Sequence, residues 1–165
     1  MVIYSNKFKK AMNVLLEHEG GYVNDQYDRG GETKYGISKK VHQNIDIERL
    51  TIETATEIYY KYYWCTWKYD KIDDDVIANK VFNLGVNLGN KNANKLLQRA
   101  LRATGVHIDE DGILGTKSIA TINEANSYAL LCALRSEAAN YYRIIVMQNA
   151  NQNRFINGWL NRAYF

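Results

Sequence analysis

The sequence predicts an all-α fold with one loop-rich or hairpin segment after the first helix. Apolar residues recur at helical spacing through most of the 165 residues, and no proline interrupts them. Hydrophobic residues make up 46% and charged residues 24% of the chain, so disordered, collagen-like and coiled-coil architectures are excluded. The length fits one domain, and we expect residues 1–165 to form a single compact unit with two lobes.

The first predicted helix runs from about Lys7 to His18, with Ser5 or Asn6 as its cap. Its apolar stripe consists of Phe8, Ala11, Met12, Leu15 and Leu16. Gly20 and Gly21 end the helix. Residues 22–38 have no helical period and are rich in turn-forming residues, so we expect a loop with a short hairpin there.

Helices account for most of the remaining chain. Ser38 predicts the cap of a short helix through Val41 and Ile45, and Thr51 caps a stronger helix. The acidic run 73–75 begins the next helix, because negative charge suits a helix N-terminus. Further helices are predicted over residues 91–104, from a Thr116 cap, over residues 127–147, and around residues 155–160.

Composition excludes several function classes. The net charge of +3 is dispersed without a Lys/Arg stripe, so we expect no nucleic-acid partner but allow loose attraction to an anionic polymer such as cell-wall material. No apolar run reaches about 18 residues, so stable membrane insertion is not expected. The start of the chain lacks the apolar core of a Sec signal. Cys65 and Cys132 are expected to be buried free thiols, and no metal or cofactor is implied.

Glu19 is the most informative carboxylate. The stripe Phe8, Met12, Leu15 steps by four and three residues, and the next step of four places Glu19 where the buried face continues. Burial disfavours the charged form of a carboxyl and raises its pKa. A raised pKa is what a general acid needs near neutral pH.

A second carboxylate, Asp28, lies nine residues later in the polar loop, and Thr33 follows it by five. A glutamate at a helix end facing an aspartate near a hairpin fits glycoside hydrolysis: one carboxyl protonates the leaving oxygen while the other orients water. A hydroxyl beside the second carboxylate could hold that water. Two carboxylates near a polar loop are also often just solvated, so the pattern alone leaves both interpretations open.

The string EGGYVNDQYDRGGETKYGIS, residues 19–38, resembles the N-terminal signature of glycoside hydrolase family 108. That family comprises lysozyme-like N-acetylmuramidases of phages, prophages and bacterial secretion loci. The resemblance continues through FNLGVNLG, LLQRAL, DGILG and GWLNR and covers nearly the whole chain. It implies a lysozyme-like helical fold with a catalytic lobe over residues 7–90 and a helical peptidoglycan-binding lobe over residues 91–165.

The resemblance implies Glu19 as the catalytic acid, with Asp28 and Thr33 as its partners. Glu32 remains a possible second carboxylate beside its alternative as a solvated turn residue. His18 could be a proton partner of Glu19, although a cation at a helix C-terminus is the simpler interpretation.

Five residues are predicted to contact the sugars, and each has a structural alternative. Asn83 and Asn87 lie four apart on one helix face, so they could bind sugar amides or form an interhelical polar contact. The aromatic residues could stack on sugar faces or belong to the core; they are Tyr22, Tyr35 and Trp64. The family commonly has Asp where this chain has Asn83, which removes a possible cleft carboxylate.

The expected function is hydrolysis of the β-1,4 bond between N-acetylmuramic acid and N-acetylglucosamine in peptidoglycan by a monomeric phage or prophage endolysin. Its partner would be the glycan strand, reached after holin-type release or dedicated export. The alternatives are a secretion helper that remodels the wall and a non-catalytic peptidoglycan-binding module.

Overall fold

The structure, a computed structural model, describes residues 3–18 and 32–165, and of His18 the backbone alone. The described residues are mainly helical with one two-stranded hairpin, which confirms the all-α prediction. The chain divides into two compact units, Met1–Asp70 and Lys71–Phe165, called unit 1 and unit 2 below. Within the parts of the chain that the structure covers, no helix is long and apolar enough to cross a bilayer.

Helix α1 spans Asn6–His18 in unit 1. The Ser5 hydroxyl caps it by accepting a hydrogen bond from the Phe8 backbone N–H at 3.2 Å. Its buried face is made of Phe8, Ala11, Met12 and Leu15, whereas Leu16 is only half-buried. Four of the five residues of the predicted apolar stripe are therefore buried, and Glu19 lies outside the described residues.

The expected hairpin is formed by β1 (Thr33–Lys34) and β2 (Ile37–Ser38), which pair antiparallel. The two turn residues, Tyr35 and Gly36, have φ values of 51° and 77°. Positive φ at both central residues is what a two-residue type I′ turn requires. Ile37 points into the core of unit 1, with 1% of its surface exposed.

The short helix predicted after Ser38 is absent. Residues 39–49 form separate turns instead, in which Val41 and His42 donate backbone hydrogen bonds to the Ser38 carbonyl. Val41 is 67% exposed, so this segment has no continuous apolar face to bury. Without that burial nothing offsets the cost of nucleating a helix, and the prediction is wrong for this reason.

Helix α2 (Ile52–Ile58) begins at Thr51, as predicted, and a reciprocal capping box joins Thr51 to Thr54. It continues directly into a π-helix, Tyr59–Cys65, which the sequence pattern did not predict. Five residues of α-helix would turn Tyr59 and Trp64 about 140° apart. The wider i→i+5 turn brings both rings inward, and both are fully buried.

Unit 2 is a bundle of helices that follows a 3₁₀ turn at Tyr69–Lys71. The helices are α3 (Asp75–Leu88), α4 (Asn90–Ala103), α5 (Thr116–Glu124), α6 (Ser127–Gln148), a 3₁₀ helix (Ala150–Phe155) and α7 (Ile156–Tyr164). The packed pairs include α3 with α4, α4 with α6, and α6 with α7. The Asp74 carboxylate caps α3 by accepting from two backbone N–H groups.

Two predictions, the cap of α5 and the burial of the two cysteines, are wrong. The N-cap of α5 is Gly115, which has no side chain to accept a hydrogen bond, and not Thr116. Cys132 is exposed on α6 and Cys65 is half-buried in unit 1, so the prediction of two buried thiols is wrong. The chain bends at residues 111–112 before α5, where Gly112 has a φ of 79° and lies against Lys91.

Candidate active site

The predicted catalytic residues are only partly covered by the structure. Glu19, Asp28 and the sugar-contact candidate Tyr22 lie outside the described residues, as does the His18 side chain. Thr33 lies in β1 and is half-buried. The structure therefore describes the two flanks of the predicted site, which are the end of α1 and the hairpin.

The hairpin is anchored to the rest of unit 1 by hydrogen bonds. The Tyr59 hydroxyl, from the buried face of the π-helix, donates to the Tyr35 carbonyl at 2.8 Å. Lys34 Nζ donates to the Glu48 carbonyl at 2.7 Å. Within the hairpin itself, the Lys39 backbone N–H donates to the Glu32 carbonyl at 2.9 Å, next to the Thr33–Ser38 pair. These contacts hold the hairpin backbone on both sides of Thr33.

Tyr35 combines a constrained backbone with a half-buried ring. Its φ of 51° is uncommon for a residue with a side chain, and the Tyr59 hydrogen bond holds its carbonyl in that conformation. Lys34 Nζ lies 5.7 Å from the centre of the ring. A sugar contact by Tyr35 stays a prediction, and so does the alternative role of the half-buried Glu32.

Tyr59→Phe is expected to lower the free energy of unfolding by about 1 kcal/mol, because the Tyr35 carbonyl loses its donor. We also expect slower peptidoglycan hydrolysis, since Thr33 depends on the same turn. Urea unfolding and wall-clearing rates measure the two effects. Tyr62→Phe is the matched control, because Tyr62 lies on the same π-helix and is 49% exposed. Equal effects in the two variants would contradict the anchoring role.

Trp64 belongs to the core and not to a sugar-binding surface. Its indole is fully buried. Its ring centre lies 5.4 Å from that of Phe8 and 6.3 Å from that of Tyr69. A fully buried indole has no ring face to offer a sugar, so the structural alternative replaces the predicted role. A five-residue interval places Tyr59 and Trp64 on one face of a π-helix but not of an α-helix. The burial of Trp64 therefore could not be predicted from α-helical spacing.

Asn83 and Asn87 lie on α3 in unit 2, and both make interhelical hydrogen bonds. The Asn83 amide oxygen accepts from Arg162 Nη1 on α7 at 3.1 Å. The Asn87 amide oxygen accepts from the Tyr142 hydroxyl on α6 at 2.7 Å. Arginine has only donors, so the Asn83 oxygen must face Arg162 and its NH₂ group must point elsewhere. The contacts match the structural alternative, and sugar binding by the amide NH₂ groups stays a prediction.

Sequence reasoning did not find the residues that orient these side chains. Arg162 and Tyr142 are 79 and 55 residues away from their asparagine partners. The string GWLNR contains Arg162, but no local spacing connects it with α3. Among the residues that the structure describes, no group of three or more His, Cys, Asp or Glu side chains could hold a metal ion.

Lys80, one turn before Asn83 on α3, is buried with 8% of its surface exposed. Its Nζ donates to the Arg162 carbonyl at 2.6 Å, near the C-terminal end of α7. Burial, followed by the charges of Arg135 and Arg162, lowers the pKa of Lys80 to about 8. The folded chain therefore disfavours the charged form of this amine.

Because of Lys80, the free energy of unfolding is expected to rise with pH. Between a folded pKa of about 8 and an unfolded pKa of 10.5, the unfolded chain binds more protons than the folded chain. Across that window, the free energy of unfolding should rise by about 3 kcal/mol more in the wild type than in Lys80→Met. Urea unfolding of both proteins from pH 7 to pH 11 measures the difference. If the free energies of unfolding of the two proteins differ by the same amount from pH 7 to pH 11, the result would contradict the lowered pKa of Lys80.

Comparisons with known proteins find two matching families and several similar solved structures. Residues 12–89 match the family described as Glycosyl hydrolase 108, and residues 92–164 match the family described as Predicted Peptidoglycan domain. The structure of Brucella abortus SagA is similar with a TM-score of 0.78 and 24% sequence identity. The match covers 94% of this chain and 88% of that one. No curated protein matches the sequence.

Proposed function

Because this chain belongs to the glycosyl hydrolase 108 family and carries a predicted peptidoglycan domain, we propose that it is an N-acetylmuramidase. It would cleave the β-1,4 bond between N-acetylmuramic acid and N-acetylglucosamine. The observation that carries the proposal is the pair of adjacent family matches. The family that residues 12–89 match is one of glycosyl hydrolases, and the family that residues 92–164 match is described as a peptidoglycan domain. The chain is thus a peptidoglycan-related glycosidase, and the bond that it cleaves is the proposed part.

In the proposed mechanism, Glu19 is the general acid. Its carboxyl proton passes to the glycosidic oxygen while the bond from that oxygen to C1 of muramic acid breaks. Asp28 accepts a proton from a water molecule, whose oxygen bonds to C1. The resemblance in spacing suggests inversion of the anomeric configuration, in which water attacks from the face opposite the leaving group.

Thr33 would help to hold that water molecule through its hydroxyl group. The anchored hairpin supports this role, because a hydroxyl can orient water only if its own backbone is held in place. The Tyr59 hydrogen bond to the turn provides that support at a distance of 2.8 Å.

Sugar binding is proposed for Tyr22, Tyr35, Asn83 and Asn87. The two asparagines would offer their NH₂ groups to the carbonyl oxygens of N-acetyl groups, since their own oxygens face Arg162 and Tyr142. We assign catalysis to residues 7–90 and wall binding to residues 91–165, which follows the boundary between the two family matches.

A phage or prophage endolysin is the biological role that we propose, acting as a monomer on glycan strands after holin-type release or dedicated export. A secretion helper would use the same catalytic residues on the wall. Genomic neighbours separate the two roles, because holin and tail genes favour an endolysin and transporter genes favour a secretion helper.

The proposal is tested by incubating the purified full chain with isolated peptidoglycan and measuring both binding and release. A muramidase releases soluble glycan fragments in proportion to time and enzyme concentration. A non-catalytic binding module sediments with the wall and releases none. Binding without release, at several pH values, would replace the enzyme proposal with the binding-module alternative.

A further inference from the structure

Two cavities of unit 1 share Glu57 and Lys61 in their walls. Glu57 lies near the end of α2, and Lys61 lies in the π-helix that continues it. The first cavity has a volume of about 480 Å³ and extends to the turns before α2. The second has a volume of about 630 Å³ and extends to Tyr4, ahead of α1. Cavities of roughly 300–1,000 Å³ hold small ligands. We call the two cavities and their shared wall the α2 groove.

The two charged residues of the shared wall are exposed, and neither has an ionic partner. A glutamate four residues before a lysine is the favourable order for an ion pair on an α-helix. Nevertheless, neither Glu57 nor Lys61 forms an ion pair with any residue in the described parts of the chain. A carboxylate and an ammonium group are therefore available side by side in the α2 groove.

Glu57 and Lys61 act on different neighbours. Burial, followed by the charge of Glu57, raises the pKa of Tyr4, so the carboxylate lies close enough to act on the hydroxyl in the second cavity. Lys61 Nζ lies 5.1 Å from the ring centre of Tyr62, on the side of the first cavity. The other charged groups of the groove, Arg49 and Asp46, lie 3.7 Å apart and neutralise each other. The groove thus has a negative side and a positive side.

The surfaces beside these charges are small and apolar. In the second cavity, the half-buried rings of Tyr4 and Tyr60 meet edge to face, with centres 5.0 Å apart and planes at 66°. Tyr60 also packs against the buried ring of Phe8 at 4.9 Å, so its position is held by the core. Two rings at this angle do not form the flat platform on which a sugar ring stacks, but they can contact methyl and methylene groups.

We propose that the α2 groove binds the stem peptide of peptidoglycan, with an amine of the peptide at Glu57 and a carboxylate at Lys61. The stem peptide carries both charges. An unmodified glycan strand is neutral, because the carboxyl group of muramic acid is consumed in the bond to the peptide. The alanine methyl groups of the peptide match the small apolar surfaces of the groove. The inference rests on the proposed function for the identity of the polymer, and it adds a wall contact on unit 1.

NMR titration of the isotope-labelled full chain with a soluble peptide tests this site. The probe is L-alanyl-γ-D-glutamyl-L-lysyl-D-alanine, acetylated at its N-terminus in place of muramic acid. The variants are Glu57→Gln and Lys61→Met. The matched controls are Glu17→Gln and Lys9→Met, because both residues are exposed on α1 and line neither cavity.

We expect the largest amide shifts in residues 57–66, with a Kd of about 1 mM for the wild type and for both controls. Glu57→Gln and Lys61→Met should each raise the Kd about fivefold, because each removes one charged contact. Acetylation of the lysine amine of the probe should weaken binding to the wild type and abolish the effect of Glu57→Gln. Amidation of the probe carboxylates should do the same for Lys61→Met.

Equal Kd values in the two variants and the two controls would overturn the proposal. So would the absence of shifts in residues 57–66 of the wild type, or equal binding there of neutral tetra-N-acetylchitotetraose, which would indicate a glycan site. If a variant does not fold, the two modified peptides still decide the question on the wild type. The probe contains no glycosidic bond, so failure of the muramidase proposal would leave the test intact.

Discussion

Glu19→Gln is expected to lower the rate of peptidoglycan hydrolysis by about 10³-fold, the loss typical of removing a general acid. The amide has almost the same size as the carboxyl but cannot donate an acidic proton to the glycosidic oxygen. Binding to the wall should change little, because the amide keeps most polar contacts with the sugar. Fragment release and sedimentation with the wall, measured on the same samples, separate the two effects.

Glu17→Gln is the matched control. Glu17 precedes Glu19 by two residues and is exposed on α1, so its replacement removes the same charge without reaching the predicted site. We expect its hydrolysis rate to stay within about twofold of the wild type, as is usual for surface substitutions. Equal losses in the two variants would indicate a general charge effect and would contradict the assignment of Glu19.

Trp64→Ala is expected to lower the free energy of unfolding by about 4 kcal/mol, the cost typical of truncating a large buried aromatic side chain. The indole packs against the rings of Phe8 on α1 and of Tyr69, so its removal leaves a cavity beside two aromatic side chains. Trp64→Phe keeps an aromatic ring in contact with both neighbours, and we expect it to cost less than half as much.

Urea unfolding followed by circular dichroism measures both variants, with Tyr62→Ala as an exposed control from the same π-helix. The core role further predicts that folded Trp64→Phe binds peptidoglycan as the wild type does. A stable Trp64→Ala variant that binds the wall poorly would restore the sugar-binding role.

Much of the fold could be predicted because local signals and burial agree. In α1 the apolar stripe, the Ser5 cap and the observed burial coincide. The Thr51 capping box and the Asp74 cap also begin helices where the sequence places them. The segment after Ser38 has a cap signal without an apolar face, and there the helix does not form.

Burial was harder to predict along the π-helix that continues α2. Spaced as in an α-helix, Tyr62 would share a face with Ala55 and Tyr59, which are both buried. Tyr62 is instead 49% exposed, and Trp64 is fully buried. The wider turn of a π-helix changes which residues share a face, and no local residue preference predicts that a π-helix will form.

The candidate site was predictable to the extent that its residues lie close together in sequence. Thr33 and Tyr35 lie on the hairpin that the turn residues indicate. The partners of Asn83 and Asn87 come from helices more than 50 residues away, so only the folded bundle brings them together.

The most direct test of the muramidase assignment is the identity of the new reducing ends in digested peptidoglycan. Borohydride reduction marks each new end, and mass spectrometry identifies the reduced sugar. The account predicts reduced muramic acid in wild-type digests and none above background with Glu19→Gln. Reduced glucosamine ends in wild-type digests, or muramic acid ends that form equally with Glu19→Gln, would contradict it.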